Sequence, residues 1–174
     1  RAGGRIAAFG ALVVVGAITL EATRGNVGSD ASSEADFSPA LVRTASGGHI
    51  ESSALMQDAY CADCHGDVHS RWADSAHRFS SFNNPVYRFS VINTRNAVRA
   101  RDGHPGAARF CAGCHDPVPL LSGRFDEPDF DLASGPEASA AITCTACHAI
   151  TAVNSPRGNA DYTIEAPVHY PFAA

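Results

Sequence analysis

The chain has 174 residues and no lysine; all 13 of its basic residues are arginine, set against 18 acidic ones. A formal charge of −5 leaves no broad cationic field, which excludes nucleic acid as a partner. Aromatic content is only 8%, with one tryptophan and one methionine, so any protein core is lean in rings. There is no Gly-x-Ser-x-Gly elbow, no P-loop and no dinucleotide fingerprint, so hydrolase and nucleotide chemistry have no signature to rest on. Nor is there a cysteine outside one repeated pattern.

That pattern occurs three times. Cys61-Ala-Asp-Cys64-His65, Cys111-Ala-Gly-Cys114-His115 and Cys144-Thr-Ala-Cys147-His148 use up all six cysteines. A disulfide framework suits an even cysteine count but leaves the trailing histidines unexplained. Zinc ribbons use paired Cys-x-x-Cys, yet six thiols and three imidazoles do not divide into four-ligand sites. Covalent c-type haem attachment accounts for every residue. Each cysteine adds across a vinyl group, the two-residue gap sets both sulfurs along one porphyrin edge, and the histidine meets the iron. Three haem c groups are therefore expected. The arginine-only composition reads either as a GC-rich genome or as guanidinium forks for buried carboxylates such as cofactor propionates.

Ile6 to Leu20 is an unbroken small and apolar run behind Arg1 and Arg5. It fits a secretory h-region or a buried packing helix. It also fits a short membrane span with Arg5 snorkelling, and a retained anchor over 1–22 is the expectation. Arg1 and Arg5 then stay on the cytoplasmic side. Residues 23–48 read as a flexible linker rich in Ser, Ala, Gly and Asp. Residues 49–174 read as the haem domain, mainly α and coil with little strand. Helices are expected over 54–60, 67–78 and 91–101, a turn over 80–87 at Asn83-Asn84-Pro85, loop over 117–136, the third motif within 138–150, and one short strand over 162–165. Asp126, Glu127, Asp129 and Asp131 form an acidic patch, read as solvated surface rather than a docking site. Tyr60 and Phe110 each precede the first cysteine of a motif, a faint internal repeat.

Eight histidines are present; three follow the cysteines, and His49, His69, His77, His104 and His169 remain. A haem iron that only passes electrons takes a second axial ligand, and a second imidazole closes the site. Met56 is the lone alternative and reads as a packing residue. Each spare histidine, taken alone, is as readily a surface or core residue. His69 lies one helical turn from His65 on the same face. One helix cannot reach both poles of one iron, so His69 or His77 would serve a neighbouring haem.

From the first motif onward the sequence resembles the multihaem c-type cytochromes related to the tetrahaem cytochromes of the hydroxylamine-oxidation pathway. The likeness rests on "CADCHGDVHSRWADSAHRFSSFNNPVY", "RFCAGCHDP" and "ITCTACHAI". In that superfamily Cys-x-x-Cys-His followed by Trp and then Ser-x-His recurs, here at Trp72, Ser75 and His77. The resemblance implies that His77 is an axial ligand, that the haems are bis-histidine and paired in parallel and edge-to-edge arrangements, and that the fold is mostly helix and coil. Many relatives carry more than three haems, and a quinol dehydrogenase, a nitrite or hydroxylamine enzyme and a filament subunit are the alternatives. The expected role is electron relay without catalysis. The setting is the inner membrane, single-pass, with the haem domain in the periplasm and other redox proteins as partners.

Overall fold

The structure, a computed structural model, describes residues 35–128, 130 and 135–168. The expected anchor, the first part of the expected linker, Asp129, Asp131 and His169 lie outside the described residues. Among those described, no helix is long and apolar enough to cross a membrane.

The described chain is mainly helical with little strand. Its elements are β1 (Arg43–Thr44), α1 (Ser52–Leu55), α2 (Asp58–Ala62), α3 (Gly66–Ala73), α4 (Pro85–Asp102), α5 (Arg109–His115), α6 (Pro117–Leu121), α7 (Cys144–His148), β2 (Ile150–Val153) and β3 (Tyr162–Ile164). Short 3₁₀ turns at Gly106–Ala108, Arg124–Asp126 and Glu137–Ser139 join them.

The longest helix, α4, starts where a turn was expected. Pro85 supplies a pre-set φ at the first helical position, where a missing N–H costs nothing. The Asn84 side chain accepts from the Val86 and Tyr87 amides at 3.0 and 3.2 Å. Gly103 closes the helix at φ 81°, and its N–H returns to the Arg99 carbonyl at 2.9 Å. Asn-Pro here is a cap and a start signal, so Tyr87 sits on a rigid helix rather than in a loop. Pro117 opens α6 in the same way, inside a stretch expected to be loop. The expected helix over 54–60 is broken at Met56, and its N-cap residue is Glu51, without a side-chain bond. The strand expected near 162 is β3, and β2 comes in addition.

The sheet runs β1–β3–β2, with β1 parallel and β2 antiparallel to β3. Arg43 lies opposite Thr163, and Thr44 opposite Ile164. The linker reading of 23–48 is thereby corrected from residue 35 onward. Phe37, Ala40 and Val42 are buried, and Thr44 donates to the Gly48 carbonyl at 2.6 Å. Three inward apolar residues in a stretch of polar ones were too few to show a period.

Phe37, Val42, Ile50, Leu55, Leu121, Phe125 and Ile164 belong to one buried cluster. Each large apolar side chain fully buried there contributes roughly 1.5–3 kcal/mol. Arg95 is buried with them; its guanidinium lies 4.5 Å over the Phe125 ring and donates to the Phe125 carbonyl. The polypeptide thus has an apolar core of its own.

Candidate haem-attachment sites

The three motifs sit on three different helical pieces. In the first, Cys61 is on α2, and Cys64 and His65 form the turn into α3; the His65 amide still donates to the Cys61 carbonyl at 2.9 Å. The second lies wholly on α5 and the third wholly on α7. Helical spacing of i, i+3 and i+4 puts two sulfurs and one imidazole on one face. In all three, the first cysteine is half-buried, while the second cysteine and the histidine are exposed.

The first and third motifs are held against each other. The Thr143 hydroxyl caps α7 by accepting from the Ala146 amide at 3.1 Å. Both Thr143 and Thr145 donate to the Leu55 carbonyl at the end of α1. Asp58, at the start of α2, accepts from the Cys144 amide at 2.7 Å, so one carboxylate joins the helix of the first motif to that of the third. Burial, then Asp58, then neighbouring Cys61 push the Cys144 thiol up to about 12. Asp58→Ala strands a first-turn N–H of α7. It is expected to cost about 1 kcal/mol of unfolding free energy, as cap losses do; an unchanged denaturation midpoint would show that Asp58 is idle.

Between these two motifs lies a cavity of about 560 Å³, lined among others by Cys61, His65, His69, Cys144, His148 and Val168. It falls within the roughly 300–1,000 Å³ of ligand and cofactor pockets. A second cavity, of about 290 Å³, is lined by Tyr87, Val91, Phe110, Cys111, Cys114 and His115, with Ser90 and Asn159. Its histidine is well held. The His115 Nδ1 lies 2.7 Å from the Ser80 carbonyl, which can only accept, so Nδ1 carries the proton and Nε2 keeps its lone pair. The Tyr87 ring stacks on the imidazole at 4.2 Å and 15°. Its hydroxyl donates to Asp116, which is fully buried and also takes the Ser81 hydroxyl. Burial pushes the Asp116 carboxyl up to about 7, while Ser81, Tyr87 and Arg95 pull it down. Burial and Asp116 raise the Tyr87 phenol far above its ordinary range, so it stays a neutral donor.

A family description for cytochrome c554 and c-prime matches residues 60–149, just over half of the chain and all three motifs. The chain belongs to that family. No curated protein and no solved structure matches it. It is thus a c-type cytochrome, an electron carrier with covalently attached haem c.

The residues of this cytochrome fit that group. Among the described residues no three His, Cys, Asp or Glu side chains converge on a point where a bare metal ion would bind, and none of the six cysteines is in a disulfide. Metal thiolates need depressed thiol pKa values, whereas burial raises Cys111, Cys144 and Cys147. A neutral thioether suits that environment. Phe110, beside the first cysteine of the second motif, is 58% exposed and lines the second cavity, an apolar face at the site. The Asn159 Oδ1 at the second cavity and the Ser75 Oγ in the Trp-x-x-Ser-x-His stretch are buried without a hydrogen-bond partner.

The spare histidines separate by place. His69 lines the larger cavity with His65 and His148, its ring 5.3 Å from Trp72. His77 is exposed in the turn after α3, and its carbonyl accepts from the Ile142 amide at 3.2 Å, two residues before Cys144. The Trp72 indole donates to the Ile142 carbonyl at 2.9 Å, so the Trp and His of that stretch both tie α3 to the third motif. His49 packs edge-on to Phe37 at 5.7 Å and lines neither of these two cavities. His104 lines neither of them, and its Nδ1 accepts from the Gly106 amide at 3.2 Å. An imidazole bound to iron through Nε2 carries its proton on Nδ1, which would set N–H against N–H here. Met56 packs against the core.

Sequence reasoning missed Asp58, Tyr87, Asp116 and Tyr162. Tyr162 is on β3, its phenol raised to about 12 by burial and then by Cys147 and Cys114, the second cysteines of two different motifs. Asp116, directly after His115, was the one signal available.

Proposed function

We propose that the chain is a triheme c-type cytochrome, tethered to the inner membrane by its N-terminal segment, with the haem domain in the periplasm. It relays electrons to or from redox proteins of a membrane complex or a soluble carrier, and it is a carrier rather than an enzyme. The observation that carries this reading is the threefold recurrence of two sulfurs and an imidazole at i, i+3 and i+4, each with the second cysteine and the histidine exposed.

Bound haem supplies one-electron chemistry at its iron. The chain supplies everything else. Cys61 and Cys64, Cys111 and Cys114, and Cys144 and Cys147 fix the three groups, with His65, His115 and His148 as proximal ligands. His69 lines the cavity between the first and third sites, His77 follows α3 in the turn bonded to Ile142, and these two, with His169 from the sequence, are the candidate second ligands. Asp58 and the two threonines hold the first and third sites together. Tyr162 stands between the second and third. On this reading the sites run first, third, second: Asp58 bonds the Cys144 amide, and Tyr162 lies on the strand that pairs with β2 after α7, three residues beyond Asn159 of the second cavity.

A redox-poised optical and EPR titration of the pure protein tests this. Three haems per chain, low-spin signals throughout and no carbon monoxide binding to the reduced form are expected. Fewer haems would overturn the count, and a high-spin iron that binds carbon monoxide would favour an enzyme.

A further inference from the structure

We infer that Tyr87 is a positioning residue for the second haem, a clamp that fixes the rotational setting of the His115 imidazole and with it the properties of that one iron. The inference rests on the triheme reading above.

Two independent restraints act on the His115 ring. The Nδ1–H to Ser80 bond at 2.7 Å restrains it in its own plane. The stack on Tyr87, at 4.2 Å and 15°, restrains it across that plane. A hydrogen bond alone lets a ring swing about the N–H···O line; a flat neighbour on one face removes that freedom. Tyr87 is itself held from three sides. It sits in the first turn of α4, its hydroxyl is tied to Asp116, and the Phe82 ring meets it edge-on at 5.9 Å. Asp116 is anchored in turn by Ser81, whose hydroxyl also reaches the Ala138 carbonyl at 2.8 Å. The chain Ser81–Asp116–Tyr87 runs through buried or half-buried groups from the core to the exposed His115 ring.

Among the described residues the other two proximal histidines have nothing comparable: neither His65 nor His148 has a side-chain hydrogen bond or a ring stack. Outer partners of a metal-bound histidine fix its orientation and raise its basicity. Three otherwise identical attachment motifs are thus made unequal by groups outside them, and a potential difference between haems gives a relay its direction.

Tyr87→Phe and Tyr87→Leu in the haem-loaded protein test the clamp, read by haem content per chain, low-temperature EPR and redox-poised optical titration. Tyr87→Leu removes the stack. One low-spin signal of three is expected to broaden and move in its largest g value, and one midpoint potential of three to shift, while the others hold. Tyr87→Phe keeps the stack and loses only the hydroxyl anchor, so the same signal moves less. Unchanged spectra and potentials in a fully loaded Tyr87→Leu protein would overturn the clamp, as would an equal shift of all three haems. If Tyr87→Leu fails to retain one haem, Tyr87→Phe decides: a single displaced signal supports the clamp and three unchanged ones overturn it. A parent protein with fewer than three haems refutes the triheme reading before any variant is made.

Discussion

On the triheme reading proposed above, the double variant Cys144→Ala/Cys147→Ala is expected to lose one third of its Soret absorbance per chain and to stop fast electron exchange between the two remaining haems. The reason is position. Cys144 neighbours Cys61, and Asp58 joins their helices. Cys147 and Cys114 both act on the Tyr162 phenol. Removing the third site therefore takes out the middle of the relay. Cys111→Ala/Cys114→Ala removes an end, so the same one third of the absorbance disappears while the first and third haems still exchange. Haemochromogen absorbance counts the groups, and flash reduction followed by optical equilibration reads the exchange. If the two double variants equilibrate at equal rates, the first–third–second order is wrong.

Asp116→Ala is expected to destabilise the folded protein by about 1–3 kcal/mol, the cost of a buried donor left without its acceptor. Two hydroxyls depend on that carboxylate, those of Ser81 and Tyr87. Ser81 keeps a second acceptor in the Ala138 carbonyl, so most of the loss falls on Tyr87. Asp116→Asn retains the shape and one acceptor oxygen, and a loss of about 1 kcal/mol, one hydrogen bond, is expected there. Denaturant unfolding of the haem-loaded protein measures both. A variant with alanine as stable as the parent would mean that stacking alone holds Tyr87.

The chemistry of this protein was legible because it is written in adjacent residues. Cys-x-x-Cys-His needs no tertiary structure to be recognised, and neither does the Trp72 to His77 pattern, whose Trp and His both tie α3 to the third motif. What the sequence hid is long-range. Asp58 meets Cys144 across 86 positions, and Tyr87 meets Asp116 across 29. Neither residue differs in type or neighbourhood from an ordinary solvated Asp or packed Tyr. Asn84-Pro85 was ambiguous for a different reason. The same dipeptide that ends one helix begins another, and only the donors at Val86 and Tyr87 decide between them. The paired strands β1 and β3 are two and three residues long, too short for any alternation to register.

That short pairing governs how the protein can be trimmed for study. A recombinant fragment beginning at His49, where composition changes, would discard Phe37 and Val42 from the interior and leave one edge of β3 bare. An uncovered strand edge recruits other chains, so such a fragment would be prone to clump during haem loading. The shortest well-behaved version should begin no later than Ala35.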